Sequence, residues 1–205
     1  MATRNKASDA RTKGARTRQR IIERAATLFN TRGVAAASMS DVTAACELER
    51  GGVYNHFASK EELSLAAFDY AAALVLKRLV DAAEAQRDPL RKLGAMIAVY
   101  RNVAQSPLLP GGCPLLNAAI EADDTNPVLR NRVRKAMNGW RALLVRALEE
   151  ALAAKQLVPL DPQAFASIVI ASLEGGIMLS SLYRDPTHMH AVVDHLQSWI
   201  TSLET

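Results

Sequence analysis

Residues 17–63 read TRQRIIERAATLFNTRGVAAASMSDVTAACELERGGVYNHFASKEEL, and this stretch decides how the chain folds. Its first part carries Ile21, Ile22, Ala25, Leu28 and Phe29 on one helical face. Ser38-Met-Ser-Asp41 then has the form of a capping box. A Ser side chain there accepts a first-turn N–H, and an acid three residues on reaches back to the cap. A tight turn follows. Glu49-Arg-Gly-Gly-Val-Tyr-Asn-His-Phe57 opens a second short helix, and Ser59-Lys-Glu-Glu62 starts a long one. A long helix, a short helix, a turn and another short helix outline a helix-turn-helix. Gly51 and Gly52 are odd in a structural helix, since each costs about 1 kcal/mol in a helix interior. They make sense at a first turn that approaches another backbone closely, such as a phosphate chain. Around them, Arg50 suits guanine and Asn55 suits adenine, while Tyr54 can stack on a base methyl or bond a phosphate. His56 and Lys60 suit phosphate, and Val53 and Phe57 would anchor the helix to a core.

The charge outside this stretch is uneven. Residues 1–60 hold 11 Lys/Arg and 5 Asp/Glu, whereas residues 61–205 hold 14 and 16. Within the first part, residues 1–20 alone hold seven Lys/Arg against one Asp, and residues 21–60 are balanced at four and four. A basic arm, read as disordered over residues 1–14, thus precedes a neutral reading head over residues 15–60. The 205 residues are 49% apolar with a net charge of +4, which excludes a disordered chain. Two cysteines cannot make a disulfide scaffold, and no charged segment followed by an apolar core opens the sequence, so a cytoplasmic location is expected.

The whole sequence reads as all-α, with helices near 16–31, 39–46, 50–56, 59–85, 88–105, 113–122, 127–155, 162–183 and 186–203. Four boundaries share one signature: Asp88-Pro89, Asn126-Pro127, Asp161-Pro162 and Asp185-Pro186. The acid or amide caps free N–H groups, and Pro at the first helical position has none to satisfy. Residues 164–183 are long and apolar enough to span a bilayer, but Glu174 and four serines interrupt them, so no membrane role is expected.

The pattern Leu28-Phe29-x3-Gly33, Ser38-Met39-x-Asp41-Val42 and Gly51-x-Val53-Tyr54-x-His56-Phe57-x-Ser59-Lys60-Glu61 resembles the TetR family of transcriptional regulators. The resemblance covers about a quarter of the chain. It implies an all-α homodimeric repressor, with a three-helix DNA head over 15–60 and a ligand-binding and dimerisation domain over 61–205. It also implies release from a palindromic DNA operator by a small-molecule effector. By position, Arg50, Gly51, Tyr54 and Asn55 would face bases, and Gly52, His56 and Lys60 would face phosphates. Thr17 and the basic residues before it would lie near the DNA backbone or minor groove. Two departures stand out. Glu47 occupies the turn position that is usually Gly, and Gly52 stands where the family usually has Thr.

In the body, large or adaptable residues on inner faces are candidates for a largely apolar effector: Phe68, Met96, Tyr100, Leu116, Met137, Trp140 and Met178, with Asn117, Tyr100 or Glu174 as polar anchors. Cys113 follows a Pro/Gly loop at a helix start, where the macrodipole favours a thiolate; modification of Cys113 is an alternative trigger. Gly175, Gly176, Ile177, Leu182, Val192, Leu196, Trp199 and Ile200 are candidates for the dimer seam. Glu121, Asp123 and Asp124 read as loop and cap residues. His188 and His190 point to different sides of one helix, so no metal is expected there. No cofactor fingerprint or nucleophile–base spacing stands out, and no enzymatic activity is expected. A ligand-blind DNA-binding protein and a helical-bundle enzyme using Cys113 are the rival readings.

Overall fold

The computed structural model describes residues 3–103, 105–122 and 126–205, apart from the side chains of residues 3–12 and of Arg50. Among these residues the chain forms nine α-helices, with one isolated β-bridge between Leu157 and Glu204. The helices are α1 (Thr3–Arg32), α2 (Met39–Cys46), α3 (Arg50–Tyr54), α4 (Lys60–Glu84), α5 (Pro89–Ala98), α6 (Pro114–Ala122), α7 (Pro127–Ala153), α8 (Pro162–Tyr183) and α9 (Thr187–Ser202).

Local chemistry accounts for most of their starts. Ser38 and Asp41 close a complete capping box on α2: the Asp41 N–H donates to Ser38 Oγ at 3.1 Å, and the Ser38 N–H donates to Asp41 Oδ2 at 2.8 Å. Asp88, Asn126 and Asp161 each accept a first-turn N–H, with Pro next in line. The fourth such pair is displaced by one residue. Asp185 accepts the Thr187 N–H at 2.9 Å, and Pro186 is the cap of α9 rather than its first residue.

Two elements differ from the sequence expectation. Helix α1 begins at Thr3, so the backbone of residues 3–14, expected to be a disordered arm, is helical. Half of the segment is Ala, Lys or Arg and it contains no Pro, so nothing breaks a helix continued back from residues 15–32, although Asn5, Asp9 and Gly14 weaken it. Met1 and Ala2 lie outside the described residues. Helix α5 ends at Ala98 rather than near 105, because Tyr100 and Arg101 donate to carbonyls three residues back and tighten the chain into turns. The Tyr100 ring is thereby stacked on Trp140, with centroids 5.3 Å apart.

Two apolar cores result. The head core gathers Ile21, Ala25, Phe29, Val42, Cys46, Val53 and Phe57, and takes Leu63, Ala67 and Ala71 from α4. The body core is built around fully buried Trp140 on α7, with Leu93, Ile97, Leu148, Leu173 and Leu196. Helix α4 therefore belongs to both.

Candidate functional site

The turn between α2 and α3 is formed without glycine. Glu47 adopts the left-handed conformation, with φ 53° and ψ 42°, and its N–H reaches the Thr43 and Ala44 carbonyls. The departure at this position thus leaves the turn unrearranged and places strain in Glu47 itself. Beyond it, α3 and the turn that follows bury Val53 and Phe57 and leave Gly51, Tyr54 and the C-cap Asn55 outward, with Tyr54 40% exposed. Period 3.6 places the anchors and the outward residues on opposite sides of this short helix. Neither glycine is required by the chain itself. A Cβ on Gly51 would meet nothing within 4 Å, and one on Gly52 would make ordinary contact with Leu48 at 3.5 Å. His56 is half-buried beside them. The Arg50 side chain lies outside the described residues. Arg18 of α1 holds its guanidinium 4.6 Å from the Phe57 ring centroid, which ties α1 to the anchored side of this segment.

Two expected phosphate-side groups have intramolecular partners. Lys60 Nζ donates to the Val34 carbonyl at 2.9 Å and the Ala37 carbonyl at 3.0 Å, and lies 3.5 Å from that of Ala35. An ammonium has three donors, so Lys60 caps the α1–α2 connection rather than standing ready for phosphate. Thr17 Oγ1 donates to the Lys13 carbonyl within α1.

The effector candidates divide among three places. Tyr100 and Cys113 line a core cavity of only about 30 Å³, walled also by Val75, Arg78 and Ile177. Met96 and Trp140 are fully buried in the body core, and Leu116 and Met137 pack half-buried against that core. Phe68 and Asn117 instead line a cavity of about 380 Å³ where α1 of the head meets α4, α6 and α7 of the body. Met178 lies elsewhere. It is 54% exposed on the outer face of α8, because it is one residue, or about 100° of helix rotation, away from buried Ile177.

Cys113 Sγ donates to Glu174 Oε1 at 3.0 Å in the buried core, while Glu174 Oε2, Tyr100 Oη and Trp140 Nε1 have no hydrogen-bond partner among the described residues. Burial pushes the thiol pKa well up, and the Glu174 carboxylate adds to this; the Leu115 and Leu116 amides at the helix start oppose it more weakly. Desolvation therefore overrides the helix terminus, and the thiol stays protonated. Burial also raises the Glu174 carboxyl to about 7.

The dimer candidates separate in the same way. Ile177, Leu196 and Ile200 are buried in the body core of their own chain, which removes them from an outer seam. Gly176 and Val192 meet in the α8–α9 contact, and Trp199 stacks on Phe165 at 4.3 Å. Gly175 is open, and Leu182 is 69% exposed.

Asn30, Gly111 and Glu121, none of them in the expected site set, join head to body together with the candidate anchor Asn117. Asn30 Nδ2 donates to the Pro110 and Gly112 carbonyls at 2.7 and 3.1 Å, and Asn117 Nδ2 bridges the Asn30 side chain and the Gly111 carbonyl. Gly111 is needed there, since a Cβ would sit 2.4 Å from the Asn30 carbonyl oxygen. Glu121 accepts the Val34 and Ala35 N–H groups at 2.9 and 2.5 Å, which corrects its reading as a local loop or cap residue. Asp123 and Asp124 lie outside the described residues. Sequence spacing held no sign of the contacts that Asn30 and Glu121 make, which join residues 80 or more apart; the Gly111-Gly112 break alone marked the loop.

Comparison with known proteins agrees with this architecture. The family profile for bacterial regulatory proteins of the tetR family matches residues 21–67, and that for the tetracyclin repressor-like C-terminal domain matches residues 89–196. A TetR transcriptional regulator from Chloroflexus aurantiacus is 41% identical and superposes with a TM-score of 0.91, covering 94% of this chain and 98% of that one. An HTH-type transcriptional regulator of Mycobacterium tuberculosis is 30% identical over 187 residues, 88% of this chain and 92% of its own. The HTH-type transcriptional repressor DhaR of Mycobacterium sp. is 26% identical over 173 residues, 82% of this chain and 84% of its own. With a reading helix presented outward from a three-helix head on a helical body, this chain belongs to the TetR family of helix-turn-helix transcriptional regulators.

Proposed function

We propose that the protein is a homodimeric repressor that binds a palindromic operator through α3 and is released by a small effector. The observation that carries the reading is the outward face of α3, where Gly51, Tyr54 and Asn55 are exposed while Val53 and Phe57 lock the helix to the head core. Arg50, Gly52 and His56 complete the proposed contacts, and the 1–14 segment supplies nonspecific attraction through its cations. The repressor DhaR among the relatives favours repression over activation.

Dimerisation is supported by α8. Ala164, Ile168, Ala171, Gly175, Met178 and Leu182 recur at alternating spacings of four and three, and Ile168, Met178 and Leu182 are 49%, 54% and 69% exposed. The helix is 22 residues long and apolar enough to cross a membrane by length and composition, yet its other face is buried against α7 and α9. An apolar stripe on one side and a packed core on the other suits a second copy of the chain, with the two reading helices one turn of DNA apart. A cytoplasmic, non-enzymatic role fits a protein that acts on DNA. The protonated, buried Cys113 thiol favours a noncovalent effector over cysteine modification as the trigger.

The test is selection of duplexes from a random pool by the full-length protein, followed by anisotropy titrations with the wild type, Tyr54→Ala and Asn55→Ala. Both variants are expected to keep helical circular dichroism and to lose at least tenfold in affinity for the selected site. Unchanged binding in both would remove α3 as the reader.

A further inference from the structure

The body core of this chain is closed, with a cavity of about 30 Å³, room for a water or two. The space at the junction of head and body is about 380 Å³, within the range of roughly 300–1,000 Å³ occupied by small-molecule sites. Its apolar walls come from Phe29 of α1, Phe68 of α4 and Leu129 of α7. Its polar side chains are Asn30 and Asn117, both in the head–body hydrogen-bond cluster, Thr31 and Ser64, whose hydroxyls donate to carbonyls of their own helices, and Glu121, the one formal charge among the described residues that line it. Ile120, also in the wall, is 70% exposed at the rim and would be covered by an occupant.

We infer that this junction is a binding site for a compact organic cation, an apolar body carrying an ammonium group directed at Glu121. The apolar walls supply the burial, and Glu121 selects the sign: among the described residues of the wall it is the one formal charge, so a carboxylate or phosphate would face like charge there. Occupancy has a direct consequence for the head. The Glu121 carboxylate holds the Val34 and Ala35 amides, immediately before α2, and an ammonium competes with them for the same oxygens. Asn30, Gly111 and Asn117 lie on the adjoining wall, so the occupant touches both of these ties between head and body, one at the end of α1 and one in the α1–α2 connection. The site lies outside the core pocket and leads to the head through α1 and α6, rather than through α4 alone. Its regulatory consequence, though not its ability to bind, rests on the operator-binding reading above.

The experiment uses three probes with one body: adamantylamine, adamantanol and adamantane carboxylate, each added at millimolar concentration to the full-length protein. The amine is expected to raise the Tm by several degrees, the alcohol by less, and the carboxylate not at all. Ala118→Trp, which fills the cavity without removing any of the bonds described, should abolish the amine shift. Tyr100→Phe, in the core cavity, should leave it intact. No amine shift in the wild type, an equal shift with the carboxylate, or a shift that survives Ala118→Trp would each overturn the site. On the selected duplex the amine should weaken binding at least fivefold, and binding of the amine without that loss overturns the regulatory role. If no duplex is selected at all, the DNA-binding reading falls while the thermal shifts still decide the site.

Discussion

The head and the body each contain a Gly-Gly pair in a critical place, and the two pairs answer to different constraints. At 111–112 both residues have positive φ, 101° and 89°, and a Cβ on Gly111 would overlap the Asn30 backbone at 2.4 Å. The fold itself demands that pair. At 51–52 the backbone is helical, Gly51 has open space around it, and Gly52 would tolerate a methyl against Leu48. The fold gains nothing from those glycines and loses helix stability by having them. A residue that is costly inside the chain and unexplained by its neighbours points to a partner outside it. One pair holds the molecule together, and the other, on the proposed reading of α3, keeps that helix slim enough to approach DNA.

That contrast can be broken. Gly111→Ala is expected to cost about 3 kcal/mol or more, because it combines a disfavoured φ with a backbone overlap. Urea denaturation would measure it, and a loss below about 1 kcal/mol would mean the loop can move away from α1 freely.

A comparable effect is expected from Glu174→Gln, read as a change with pH. Between about 4.5 and about 7 the folded protein keeps Glu174 protonated while the unfolded chain has released that proton. The folded state binds more protons in this window, so stability falls as pH rises through it and levels off above about 7. The fall is on the order of 3 kcal/mol, and Glu174→Gln should remove it in denaturation curves taken at about pH 5 and about pH 8. Parallel curves for wild type and variant would show that the carboxyl is solvated.

Lys60→Ala sharpens the boundary between fold and DNA contact. Loss of a cap on the Val34 and Ala37 carbonyls should cost about 1–3 kcal/mol in stability. The salt dependence of operator binding should stay the same; a slope reduced by about one counterion would return Lys60 to the phosphates.

The smallest effect is the most diagnostic. Gly51→Ala and Gly52→Ala should each stabilise the protein by up to about 1 kcal/mol while weakening operator binding. Opposite signs in the two measurements establish that the glycines serve the partner. A variant that gains stability and binds as well as the wild type would remove that explanation.

The helical class, the helix-turn-helix and most helix starts were legible because they rest on contacts within four residues: a Ser accepting the N–H three residues on, a Pro with no N–H to waste, an apolar face at period 3.6. The Glu47 turn was legible as an anomaly but not in its outcome, since residue type alone does not say whether a chain rearranges or accepts a left-handed Glu. The candidate sites were less legible. Ile177 and Met178 are adjacent apolar residues, yet one is core and the other outer surface. Lys60 carries the family's pattern and still directs its ammonium into the head. Helix phase against a neighbour and the partner of a long side chain depend on groups far away in sequence.

Local sequence therefore determined that the chain makes helices, where they start, and which short helix presents a Gly-Gly-Val-Tyr-Asn-His face. Tertiary structure decided that Glu121 and Asn117 tie the head to the body, that the core around Cys113 is closed, and that the open space lies at the junction. The reason is one of range. Caps and helical periodicity act within one or two turns, whereas cavities, clamps and burial arise only when residues some 80 positions apart are packed side by side.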